Sequence, residues 1–118
     1  MIIKNLIEYL TAYFEEDTTL FIGVEAPEQF TNYVLVDQTG SSTRNHITTA
    51  TVAVQSYGAS LLDAMELNET VKAAVFSFAG QDEVAGVRLE TDYNFTNTAT
   101  KQYRWQAVFQ ITHYLGGN

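Results

Sequence analysis

The chain has 118 residues, no cysteine, 14 acidic and 6 basic residues, and a formal charge of −8. That length suits one domain over 1–118, the lack of cysteine excludes disulfides and thiolate metal sites, and the scattered cations Lys4, Arg44, Lys72, Arg88, Lys101 and Arg104 offer no basic patch for nucleic acid. At 46% hydrophobic and 17% charged the chain is too apolar to be disordered, and so little charge predicts that something else covers part of its surface.

Ile2, Ile3, Leu6, Ile7, Leu10, Tyr13 and Phe14 recur at helical spacing, which predicts an amphipathic helix over 2–16. The opening MIIKNLIEYL lacks a basic stretch and a small-residue cleavage site, so it reads as helix rather than signal peptide. No apolar run approaches the ~20 residues of a membrane span. The expectation is a protein made and folded in cytoplasm, without membrane contact. The helix ends in Glu15, Glu16 and Asp17, the wrong sign for a helix C-terminus. Two readings stand: a solvated end, or a partner subunit that supplies cations there.

LFIGV, residues 20–24, reads as a short strand, followed by the loop EAPEQFTN with the only proline, Pro27. Strands over 33–38 and 46–57 flank a polar tip, residues 37–45, within VLVDQTGSSTRNHITTATVAVQ. YVLV is apolar on both faces, which predicts a central strand. On the second strand Ala50, Val52 and Val54 face one way, and Thr49, Thr51, Ala53 and Gln55 the other.

Ser60 is placed to cap a second helix that runs to about residue 77 and stops before Gly80. Leu61, Ala64, Leu67, Val71, Ala74, Val75 and Phe78 make its apolar stripe, with Asp63, Glu66, Glu69 and Lys72 off it. Asn68 in its middle is a weak point or a kink. The loop GQDEVAG precedes a hairpin. Val87, Leu89, Thr91, Tyr93 and Phe95 alternate with Arg88, Glu90, Asp92 and Asn94. Tyr103, Trp105, Ala107, Phe109 and Ile111 alternate with Arg104, Gln106, Val108, Gln110 and Thr112. Without a bulge, the apolar sets share a face when Tyr93 pairs with Trp105. Asn97 and Lys101 then bound the loop, and Arg104 lies opposite Asn94 and diagonal to Asp92. The terminal GGN reads as a frayed tail. The sum is an α+β domain: a mostly antiparallel sheet, two helices packed on one of its faces, and a protruding β-hairpin.

That layout resembles the tail-terminator (tail-completion, minor tail) proteins of long-tailed bacteriophages. The likeness spans nearly the whole chain. It is carried by the N-terminal helix, the polar-tipped strand pair VLVDQTGSSTRNHITTATVAVQ, the helix SYGASLLDAMELNETVKAAV and the aromatic closing strand YRWQAVFQITHYL. The resemblance implies a virion protein, assembled in the host bacterial cytoplasm and ending in the virion tail. It implies a homo-hexameric ring that caps the major tail-tube protein and offers a docking surface to a head-completion or neck protein. DNA would pass through the ring without specific binding, and no catalysis or cofactor is implied. Surfaces, rather than single residues, carry across.

A closed ring needs head-to-tail contacts between unlike patches, and pairing in an assembly removes the hazard of an exposed strand edge. The tip residues Asp37, Thr39, Ser41, Ser42, Arg44, Asn45 and His46 are the candidate subunit or tube interface, with Glu15, Glu16 and Asp17 of the next subunit as a partner for Arg44. Glu90, Asp92, Asn94, Gln106 and Gln110 are the candidate channel-facing set, since acidic or neutral walls do not trap phosphates; an ordinary solvated sheet face explains them equally well.

Catalytic and metal readings fare worse. His46 and His113 are the only histidines. Ser41, Ser42 and Asp37 lie near His46 in sequence, with no nucleophile elbow or oxyanion hole. TGSSTRN lacks the second glycine and the lysine of a phosphate loop. The carboxylate pairs Glu15–Glu16 and Asp82–Glu83 have no EF-hand spacing. The hairpin aromatics lack the cations of a base-stacking platform and read as core. The alternatives to a tail terminator are another neck or head-completion protein and, from a different class, a small α+β ligand-binding or enzyme domain.

Overall fold

A computed structural model describes residues 1–114; the terminal GGN segment lies outside the described residues. These residues form helices α1 (Ile2–Tyr13) and α2 (Leu61–Ser77) and strands β1 (Leu20–Gly23), β2 (Asn32–Arg44), β3 (Ile47–Gly58), β4 (Val84–Asn94) and β5 (Tyr103–Tyr114). The strands make one sheet in the order β1-β2-β3-β5-β4, antiparallel except for the short β1–β2 pair. One core joins both helices to one sheet face: Leu6 and Leu10 of α1 and Val71 and Val75 of α2 pack with Val34, Val36, Val52, Val54, Phe109 and Ile111. The expected architecture, two helices on one face of a mostly antiparallel sheet, is the one observed.

α2 follows its sequence signals. Ser60 Oγ accepts the Asp63 N–H at 3.1 Å, and the helix ends at Ser77. Gly58 lets that helix start directly beneath β3. A Cβ there would lie 2.7 Å from the Ala64 nitrogen and 2.9 Å from the Asp63 Cβ. α1 ends at Tyr13 rather than residue 16. No basic side chain offsets the C-terminal pole of the helix. Asp17 instead closes a local turn, its carboxylate accepting the Thr19 N–H at 3.0 Å and hydroxyl at 2.6 Å.

The polar tip is more ordered than its composition suggests. β2 stays paired with β3 out to Arg44 opposite Ile47, leaving only Asn45 and His46 as the turn. Both have positive φ, 53° and 65°, the mirror-image geometry that matches strand twist in two-residue hairpins. Tyr33, Val34 and Val36 are buried in the half of β2 flanked by β1, as a central strand requires, whereas residues 37–44 are exposed and form the sheet edge. Thr39 is the extra residue of a bulge between Gln38 and Gly40.

The closing hairpin departs from the simple alternation. A bulge at Glu90 shifts the register, so Tyr93 lies opposite Gln106 and Asn94 opposite Trp105. Arg104 thus lies beyond the Asn94 pair, where its carbonyl accepts the Phe95 N–H, and Asp92 lies opposite Ala107 rather than diagonal to Arg104. Pairing resumes at Asn97 with Gln102, so the turn is residues 98–101, closed by Lys101 at φ 55°.

Candidate functional site

The sheet face turned away from the helices carries a cross-strand polar network. Alternation places Thr49, Thr51, Ala53, Gln55 and Tyr57 of β3 beside Thr112, Gln110, Val108, Gln106 and Arg104 of β5 on this open face. The Thr49 and Thr112 hydroxyls are 3.3 Å apart, and the Thr51 hydroxyl donates to Gln110 Oε1 at 3.2 Å. Gln110 Nε2 in turn approaches both Glu90 carboxylate oxygens, at 3.4 and 3.3 Å. Gln55 Nε2 donates to Gln106 Oε1 at 2.7 Å, Tyr57 donates to Gln55 Oε1 at 2.8 Å, and Gln106 donates to the Tyr93 hydroxyl. Side chains linked in this way hold fixed positions, so the face is preorganised.

An aromatic–arginine stack closes the network near the start of β2. Tyr33 stacks on Tyr57 with centroids 4.4 Å apart. The Arg104 guanidinium lies 4.4 Å from the Phe95 ring centroid and 5.8 Å from that of Tyr57. Its Nε donates to the Phe95 carbonyl at 2.6 Å and its Nη1 to the Tyr57 hydroxyl at 3.2 Å. Burial, and then the neighbouring Tyr57, raise the Tyr33 hydroxyl above its ordinary pKa. Beside the stack lies an open groove of about 530 Å³, lined by residues that include Phe30, Tyr33, Tyr57 and Lys101.

The candidate interface residues divide between surfaces. Asp37, Ser42 and Arg44 pair with Ala53, Thr49 and Ile47 and share the open face. Ser41 pairs with Ala50 and so points to the helix side; Thr39 is the bulged residue, and Asn45 and His46 form the turn. Ser41, Ser42 and His46 are therefore not gathered toward one point. Glu15, Glu16 and Asp17 are exposed. The Asp17 carbonyl accepts the Leu20 N–H, and Leu20 pairs with Asn32, so these acids sit at the start of β2. Arg44 ends the same 13-residue strand, about 40 Å away. Within one molecule the two groups cannot meet.

The candidate channel-facing set is not one face. Gln106 and Gln110 lie on the open face with Glu90 turned toward Gln110, but the bulge at Glu90 puts Asp92 and Asn94 on the helix side. Asp92 there accepts Lys72 Nζ at 2.6 Å and Asn68 Nδ2 at 3.1 Å. The Lys72 ammonium, and then the Asn68 amide, hold its carboxyl below the usual carboxylate range despite burial. Lys72 is raised above the ordinary lysine value by Asp92 first and by Glu69. Asn68 is thus buried, 1% exposed, with its Nδ2 anchored on Asp92 and its Oδ1 without a partner among the described residues. The same bulge turns Tyr93 and Phe95 outward instead of into the core: Phe95 lies under Arg104, and Tyr93 packs edge-on against Phe95 and accepts from Gln106.

Sequence reasoning missed this face because its polar residues looked like ordinary solvated positions. The signal present was compositional. All three arginines of the chain, Arg44, Arg88 and Arg104, fall on the open face, with Asp37 and Glu90 as its carboxylates. None of the three arginines has a carboxylate partner among the described residues, whereas Lys4 and Lys72 of the helices both do. His113, near the end of β5, is held below its ordinary pKa by burial first and then by the N-terminal ammonium. Among the described residues no group of three or more His, Asp or Glu is placed to hold a metal ion, and no helix is long and apolar enough to cross a membrane. No protein-family model matches the chain, and no curated protein sequence matches it.

Proposed function

We propose that the protein is a structural virion component that caps a phage tail tube as a ring and presents a surface to the head, without catalysis. The observation that supports this most is the outer half of the β2–β3 ribbon. Residues 37–44 are exposed, and beyond the four residues that pair with β1 this edge of β2 has no neighbour among the described residues. A long unpaired edge is a liability in an isolated domain and an asset in an assembly. Its polar side chains keep it in solution until it docks. The separation of Arg44 from Glu15, Glu16 and Asp17, at opposite ends of β2, suits contact between unlike ends of neighbouring copies.

The test is tube length. Tail-tube protein of the same phage is polymerised with and without this chain, and tube lengths are measured by electron microscopy. Capping gives short tubes of defined length bearing a terminal ring. In a hairpin closed by Arg44 and Ile47, Ser41 points its N–H outward, so Ser41→Pro blocks the edge without breaking the β2–β3 ladder. That variant is expected to fold and to lose capping. Tubes of unchanged length with the wild-type chain would remove the reading.

A further inference from the structure

We infer that copies of this chain associate head to tail through the outer surface of α2 on one copy and the far end of the open sheet face on the next. The inference takes from the proposed function only that copies associate, and it names the contact. Each surface is an apolar spot with unpaired charge near it, carboxylates on α2 and arginines on the open sheet face. On α2, Leu62 is 61% and Met65 40% exposed, and Asp63 and Glu66 beside them have no cation partner among the described residues. At the other site Ile47 is 38% and Tyr114 48% exposed. These two are paired across β3 and β5, with Arg44 opposite Ile47 on one side and Arg88 two rows away on β4.

Large side chains half out of water beside unpaired charges mark a contact surface rather than a solvated one. Complementary charge on the two patches selects their pairing and orientation. Asp82 and Glu83, in the loop before β4, approach the same end of the sheet, since the Glu83 carbonyl accepts the Tyr114 N–H, yet neither pairs with an arginine. The patches cannot satisfy each other within one molecule. α2 begins just after Gly58, at the opposite end of the 12-residue β3 from Ile47, about 36 Å away and on the other face of the sheet. A contact between unlike patches at opposite ends is heterologous and continues from copy to copy until it closes.

Sedimentation velocity of the full chain alone, over a concentration series to several hundred micromolar at low salt, tests this. The wild type is expected to associate, and more weakly as salt is added. Arg44→Glu with Arg88→Glu, and separately Asp63→Lys with Glu66→Lys, are each expected to weaken association at least tenfold. An equimolar mixture of the two variants is expected to restore it as a hetero-complex. Should the lysine pair unfold the start of α2, Asp63→Asn with Glu66→Gln keeps the helix and gives a smaller loss in the same direction. A wild type that stays monomeric across the series overturns the inference, as do variants that associate like the wild type. The tube assay is independent. If this contact behaves as stated while tubes run on, the capping reading falls alone; if the wild type stays monomeric yet caps tubes, the contact falls alone.

Discussion

The Lys72–Asp92 pair tests how β4 is registered, because regular alternation would place Asp92 on the opposite side of the sheet from α2. Lys72 Nζ and the Asp92 carboxylate are 2.6 Å apart, with side chains 18% and 26% exposed. Deleting one partner of a charge-assisted hydrogen bond costs about 1.5–3 kcal/mol, and partial exposure screens the pair toward about 1–2 kcal/mol. Lys72→Met also removes the contact with Glu69, which is 70% exposed and contributes only a few tenths. A double-mutant cycle of Lys72→Met and Asp92→Asn cancels that term and isolates the coupling. Urea unfolding at pH 7 should give a coupling of about 1–2 kcal/mol, and each single variant should melt about 3–8 °C lower. The pH dependence has a definite sign. Asp92 is depressed in the folded state, so its contribution is complete above the usual carboxylate range and is lost as pH falls through its lower folded value. Lys72 is raised, so its contribution survives to alkaline pH and is lost only as pH rises beyond the ordinary lysine value of 10.5. The coupling should therefore be flat across neutral pH and vanish in acid. A coupling near zero at pH 7 would refute the bulged register.

Two further variants test the backbone. His46→Gly should stabilise the chain by about 0.5 kcal/mol, because glycine relieves a left-handed conformation that costs other residues about 1–2 kcal/mol and gives back part of that gain in chain entropy; a higher urea midpoint with unchanged slope is the expected result. Gly58→Ala should destabilise by about 1–3 kcal/mol, since its methyl would meet the backbone of Ala64, which is fully buried and has no room to retreat. A melting temperature equal to wild type would show that α2 does not start so tightly against β3.

Much of the architecture was readable because burial wrote it into side-chain spacing. The stripe from Ala64 to Phe78, the Ser60 cap and the alternation of Ala50, Val52 and Val54 each follow from one face meeting one core. The misreadings occur where one inserted residue changes the phase. Val87 to Phe95 looks like unbroken alternation, and only the extra residue at Glu90 reveals that Tyr93 and Phe95 share the open face with Gln106 and Arg104 while Asp92 faces Lys72. Aromatic residues obscure such a shift, because a ring stacked under a guanidinium is as acceptable on an open face as in a core. The outer half of β2 was hidden for the opposite reason. It buries nothing, so DQTGSSTR has no apolar rhythm, and a turn of Asn45 and His46 lacks the glycine that announces a tight hairpin.

The placement of the arginines bears on how a ring would conduct DNA. An open face carrying three arginines against two carboxylates is a poor lining for a DNA passage, because phosphates would linger on it. Gln106 and Gln110 belong to that face, so their neutrality does not by itself make it a passage wall. The contact inferred above changes the balance: if α2 of the neighbouring copy covers Arg44 and Arg88, those two cations are set against Asp63 and Glu66, and of the arginines Arg104 alone stays outside the contact, held against Phe95 and Tyr57. Of the 14 carboxylates, Asp63 and Glu66 would be taken up in the contact, leaving 12 against the four cations outside it, and assembly itself would cover the patch of Arg44 and Arg88. On this reasoning a ring built through α2 should repel duplex DNA more strongly than the isolated chain does.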